Sequence, residues 1–139
     1  MHTFRNVETA AYCPRKLYDR RRAGPPDVPD EVAACRSLAF EYERLLSADA
    51  DLLAAPIEVS PTAFRSRLGQ TKARRDDWEA LADPPTREVV VEGRECRGVV
   101  HKVLPGPVPS LVFAGRPPEQ GVWEPQTARL VAAAKALSW

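Results

Sequence analysis

Arg87-Glu88-Val89-Val90-Val91-Glu92-Gly93-Arg94-Glu95-Cys96-Arg97-Gly98-Val99-Val100-His101-Lys102-Val103-Leu104 is the stretch that decides the fold. Two β-branched runs, Arg87–Glu92 and Cys96–Leu104, flank a turn opened by Gly93, which predicts a β-hairpin. Downstream, a loop with three prolines leads to a third predicted strand, Ser110 to Phe113, which ends at Ala114-Gly115. Glu124-Pro125 then opens a last helix carrying Ala128, Val131, Ala132 and Ala134 to Leu137, with proline at an early helical position where its missing N–H costs nothing.

Upstream of the hairpin the periodicity is helical. Asn6 is the expected N-cap of a first helix with Val7, Ala10, Ala11, Leu17 and Tyr18 on one side. Pro14 interrupts it, so a short helix should end near Cys13 and a second begin at Pro14. A loop follows over Ala23 to Pro29. Pro29 to Ser47 reads as one helix with Val32, Cys35, Leu38, Ala39, Tyr42, Leu45 and Leu46 as its apolar stripe. Pro56-Ile57-Glu58-Val59 is either a short strand or an extended linker. Ser60-Pro61 opens a third helix bearing Phe64, Leu68, Thr71, Trp78 and Leu81, which stops before Asp83-Pro84-Pro85. The fold class is therefore α+β, with a small three-stranded mixed sheet and flanking helices. One domain is expected over residues 1–139, mainly helical over 1–83 and hairpin, strand and helix over 86–139. An unpaired Val-rich edge predicts self-association, or a protein partner that covers it.

Composition narrows the function classes. The 139 residues carry 20 Lys and Arg against 19 Asp and Glu, a net charge of +1, so attraction to a polyanion has to be local. No apolar run approaches a bilayer span and the N-terminus has no signal-peptide core, so no membrane is expected and the cytoplasm is the expected location. Three widely spaced cysteines do not make a disulfide framework. The basic residues cluster. Arg5 to Arg22 holds Arg5, Arg15, Lys16, Arg20, Arg21 and Arg22 against Glu8 and Asp19, a local +4. Phe64 to Arg75 holds Arg65, Arg67, Lys72, Arg74 and Arg75 with no acid. Arginine pairs with phosphate bidentately, so Arg15, Lys16, Arg20, Arg21 and Arg22 are the candidate nucleic-acid contacts, with Tyr12 and Tyr18 as base-stacking candidates. Helical spacing more often places such tyrosines in a core, and a run like Arg65 to Arg75 is more often a solvated face with internal ion pairs.

Ala11-Tyr12-Cys13-Pro14-Arg15-Lys16-Leu17-Tyr18 resembles the N-terminal cysteine motif of the CRISPR-associated RecB-like exonucleases, in the PD-(D/E)XK nuclease superfamily. The resemblance continues in order along the chain. It implies a partial restriction-endonuclease-like core, an ancestral divalent-cation site and an iron–sulfur cluster, with Cys13 at the position of one cluster ligand. Gly98-Val99-Val100-His101 stands where that family has Gly-x-x-Asp, and Leu111-Val112-Phe113 stands where it has Glu-x-Lys. Gln126 matches a family glutamine near the start of the last helix. The departures remove the chemistry. Leu111 cannot ligate a cation, Phe113 can neither polarise water nor offset phosphate charge, and the lone imidazole of His101 is a zinc-type rather than a magnesium-type ligand. Lys102 should face away from His101, and Glu95, Glu119 and Glu124 read as surface charge. Cys35 reads as a core residue and Cys96 has no ligand at cluster spacing, so no cofactor is expected from this chain. The resemblance thus implies a catalytically degenerate nuclease-like protein that binds DNA or assists a nuclease. The alternatives are an active metal-dependent exonuclease with relocated residues, and an interaction domain that binds no nucleic acid.

Overall fold

A computed structural model describes residues 1–24, 27–47 and 57–139. It is an α+β fold with a mixed sheet of four strands, and seven helices among the described residues. The strands are β1 (His2–Thr3), β2 (Thr86–Glu92), β3 (Cys96–Leu104) and β4 (Val108–Ser110). The helices are α1 (Phe4–Tyr12), α2 (Pro14–Ala23), α3 (Asp30–Leu38), α4 (Tyr42–Leu45), α5 (Pro61–Arg74), α6 (Trp78–Ala82) and α7 (Glu124–Leu137). The chain groups into two compact units. The first comprises residues 1–27, 85–111 and 115–139, and the second residues 28–84 and 112–114. Of the helical stretch before the hairpin, α1 and α2 belong to the first unit and α3 to α6 to the second.

In the first unit β3 is the centre of the sheet. It pairs antiparallel with β2 from Thr86↔Val103 to Glu92↔Arg97. On its other side β1 runs parallel to its beginning and β4 antiparallel to its end. The expected three strands become four because His2–Thr3 joins the sheet, too short a segment to show a period. The third strand was expected at Ser110 to Phe113. It forms instead at Val108–Ser110, where the short connection after Leu104 pairs Val108 with it and leaves Leu111 to Phe113 outside any strand. Its proline, Pro109, is tolerated because β4 lies at an edge.

One face of the sheet is closed by α1 and α7. Phe4, Val100, Ala132, Ala133 and Ala136 form the buried core there, with Val7, Val89, Val91, Cys96 and Leu111 packed around it. The approach is close: a Cβ on Gly98 would lie 2.5 Å from Phe4 Cδ2, and one on Gly93 would lie 2.7 Å from Ala136 Cα. Glycine at these two places is what lets the helices sit on the strands. The α1 helix is capped by Thr3, whose Oγ1 accepts from Asn6 N at 3.1 Å, so the cap is three residues earlier than the expected Asn6. A half-buried ion pair, Arg129 Nη1 to Glu8 Oε2 at 3.2 Å, ties α7 to α1. In the edge strand β2, Glu88 sits at φ +44°, and the ladder skips it and His101.

The second unit is helical. Leu38, Leu45, Leu68, Trp78 and Ala82 are its buried core, surrounded by Tyr42, Leu46, Ile57, Phe64 and Leu81. Two helices expected to be continuous are broken. Between α3 and α4, Phe40 N bonds Ser37 O and Glu41 N bonds Leu38 O, tight i to i−3 contacts that end the first helix. Between α5 and α6, Arg75 is extended (φ −103°, ψ 123°) and clamps Asp77 with Nε and Nη2 at 2.8 and 2.7 Å. Each break re-aims a buried residue, Leu45 in one case and Trp78 in the other. Ser60 caps α5 by accepting from Ala63 N, with Pro61 at the first position, as the sequence predicts. Of the stretch Pro56 to Val59, Pro56 lies outside the described residues and Ile57 to Val59 form no strand.

Candidate nucleic-acid interface

The positions where the resembled family carries its chemistry are shaped by packing. His101, expected half-buried, is only 3% exposed. Lys102 is 1% exposed, on the strand face that it shares with Gly98 and Val100. Burial, and secondarily the neighbouring Arg87 guanidinium, push its ammonium pKa down to about 8. Leu111 packs on the core of the first unit. Phe113 is half-buried and groups with the second unit, so Leu111 and Phe113 do not share one strand face. Gln126 is half-buried in the first turn of α7, and Glu95, Glu119 and Glu124 are exposed. Among the described residues no three His, Cys, Asp or Glu side chains stand together as metal ligands. The donor set at the family positions (one imidazole, one aliphatic and one aromatic side chain) does not fit a divalent cation. Cys13, Cys35 and Cys96 are half-buried free thiols. The Cys35 thiol is pushed up by burial and then by Glu31, which disfavours the thiolate that a metal needs.

The α2 helix is different in kind. Cys13, extended at φ −164° and ψ 113°, separates it from α1, Pro14 starts it, and Gly24 at φ +82° ends it. None of its ten residues is buried. Its inner side is held by Arg20, which is half-buried and donates from Nη1 to Thr9 Oγ1 at 2.6 Å. Thr9 Oγ1 in turn donates to Arg5 O at 2.8 Å. Arg21 donates from Nη2 to His2 Nδ1 at 3.0 Å. The outer side carries Arg15, Tyr18 and Arg22, one turn apart on one ridge, with Lys16 alongside. Tyr12 and Tyr18 are 67% and 60% exposed, so the expectation that helical spacing places them in a core is corrected. Tyr18 lies on a helix with no buried residue, and Tyr12 is the last residue of α1. Each ring is flanked by a cation: Lys16 Nζ lies 4.8 Å from the Tyr12 ring centre, and the Arg22 guanidinium 5.6 Å from that of Tyr18.

The five cations of the nucleic-acid set therefore divide. Arg15, Lys16 and Arg22 stand on the solvent side with the tyrosines, Arg21 is exposed but tied to His2, and Arg20 anchors the helix. Three of the five cations in the second basic run are engaged within the second unit. Arg65 donates from Nε to Leu45 O at 3.2 Å, Lys72 Nζ contacts both Glu43 carboxylate oxygens at 3.1 Å, and Arg75 is clamped on Asp77. Glu43 also accepts from the Trp78 indole N–H, and that bond, followed by Lys72, holds its carboxyl below the usual range. No described helix is long and apolar enough to cross a membrane. Against protein-family models, curated proteins and solved structures alike, the chain finds no match.

Proposed function

We propose that the protein is a nucleic-acid-binding module, a catalytically degenerate relative of the PD-(D/E)XK nucleases that acts in the cytoplasm without cutting. The observation that carries the reading is the α1–α2 surface, where Tyr12 at the end of α1 and Tyr18 on α2 are exposed beside Lys16, Arg15 and Arg22, and α2 has no buried residue. Guanidinium and ammonium groups spaced along a helix neutralise successive phosphates, and exposed rings between them stack on unpaired bases. The degenerate half of the reading rests on Leu111 and Phe113 at the family's acid and lysine positions.

Titrating a fluorescently labelled single-stranded oligonucleotide tests it. Binding should weaken linearly on a log–log salt plot, with a slope near 0.7 for each phosphate contacted. No binding even at low salt would overturn the proposal in favour of a protein-interaction domain. The same protein should leave single- and double-stranded DNA uncut in magnesium or manganese. Cleavage that a chelator abolishes and His101→Ala reduces would establish a rebuilt catalytic site instead.

A further inference from the structure

The last helix, α7, has two apolar sides and buries only one of them. Ala132, Ala133 and Ala136 lie in the core of the first unit, and Arg129 turns inward to Glu8. The outer side carries Trp123, Thr127, Leu130, Val131 and Ala134, at the i, i+4, i+7, i+8 and i+11 spacing of a single stripe. Trp123 is 50% exposed and Val131 49%, and Leu130 is half-buried beside them. The polar atoms of this side are already satisfied. The Trp123 indole N–H donates to Arg116 O at 2.9 Å and the Thr127 hydroxyl to Trp123 O at 3.3 Å, so covering the stripe orphans neither donor. Two charges border it. Glu124 and Lys135 are exposed and eleven residues apart, about three helical turns, so they stand on the same flank at opposite ends.

We infer that the outer side of α7 is a docking surface for a second copy of this chain, the two α7 helices packing antiparallel about a two-fold axis. The charges select both the occupant and the direction. In an antiparallel pair centred between Arg129 and Leu130, Glu124 of each copy meets Lys135 of the other, which makes two ion pairs along one flank of the seam. A parallel pair would set Glu124 against Glu124 and Lys135 against Lys135. Between the charges, large meets small: Trp123 of one copy covers Ala134 of the other, and Val131 lies across from Thr127. Antiparallel packing also sets opposite ends of the two helix dipoles together. A seam of one helix, about 20 Å long, buries less than the roughly 1,200 Å² of a stable complex, so the association is weak and reversible. No residue after Lys135 takes part, and none of the α2 surface.

Sedimentation equilibrium of the full chain, from about ten micromolar to about one millimolar, tests this. We expect a monomer–dimer equilibrium with a dissociation constant on the order of 100 μM. Val131→Glu should abolish the dimer while leaving the thermal melt of the monomer in place, because Val131 is half exposed. Glu124→Lys and Lys135→Glu should each weaken dimerisation by about tenfold, since either reversal makes both cross-seam pairs repulsive. The decisive arm mixes these two variants in equal amounts. One copy then offers lysine at both ends and the other glutamate at both ends, so the mixture should dimerise as well as the parent chain. The inference fails if the parent stays monomeric at about one millimolar, if Val131→Glu still dimerises, or if the mixture dimerises no better than either variant alone.

Discussion

Two arginine-rich helices in this protein, α2 and α5, look alike as strings of letters and differ as surfaces. Each carries a run of cations unrelieved by enough acid nearby in sequence. In α5 the acids arrive from elsewhere: Glu43, 29 residues from Lys72, and Asp77, just past the helix end, take up Lys72 and Arg75. Leu68 buries one side of that helix and Arg65 bonds a neighbouring backbone. Among the described residues α2 meets no such acid, and only Arg20 is drawn inward. A charge run is thus a candidate binding surface only where the described fold leaves it without such partners, and spacing along the chain does not report that.

The largest expected effect exploits this contrast directly. Arg15→Gln, Lys16→Gln and Arg22→Gln together should weaken oligonucleotide binding by about a hundredfold at low salt and lower the log–log slope by about 2. Lys72→Gln with Arg75→Gln at α5, two cations already engaged by Glu43 and Asp77, should change it by less than about threefold. Equal losses from both variants would erase the distinction between the helices.

The comparison extends to a cation with no surface at all. Lys102 has an ordinary pKa near 10.5 when unfolded and about 8 when folded. Below pH 8 both states are protonated and the folded state carries the full burial penalty. Between about 8 and 10.5 the unfolded chain binds more protons, so stability should rise with pH across that window. The shift is worth at most about 3 kcal/mol. Lys102→Met should therefore flatten the alkaline rise, as read from urea midpoints across that window.

Within α2 itself, Arg20 separates anchoring from binding. Arg20→Gln should cost about 1 kcal/mol of stability through the lost Thr9 bond and leave the salt slope unchanged. A lower slope with intact stability would place Arg20 on the binding side. The smallest effect belongs to Glu43→Gln. Its carboxyl is held low by Trp78 and Lys72, so the stability it contributes is present above the unfolded carboxylate pKa and is lost as pH falls through the folded one. The variant should lose only that acid-limb slope, measured by melting between pH 3 and 6, with Lys72 released but oligonucleotide affinity barely raised.

The local elements were legible because their signals are local. Ser60-Pro61 and Glu124-Pro125 announce helix starts through the first few backbone N–H groups alone, and the valine runs about Gly93 need only each other to pair. The elements that differ depend on distant partners. His2–Thr3 becomes a strand only because β3 is beside it. The helix expected through Pro29 to Ser47 breaks at Ala39–Glu41 to point Leu45 inward, and β4 moves two residues toward the hairpin because the loop after Leu104 is tight. The candidate interface was half readable in the same sense. Arg15, Lys16 and Arg22 were visible as a cluster, whereas the exposure of Tyr18 and the inward turn of Arg20 depend on α2 burying no residue, and the exposure of Tyr12 on where α1 ends.

Glu88, at φ +44° in the outermost strand, shapes the free edge of the sheet. A residue held in the left-handed region, which costs on the order of 1 kcal/mol, interrupts the regular extension of β2 between Arg87 and Val89, and the ladder to β3 has no rung there. Glu88→Gly should relieve that strain and raise the urea midpoint, while Glu88→Val should lower it. A straightened, wholly apolar edge is a better template for a further strand, so Glu88→Val should also scatter more light at high concentration than the parent chain.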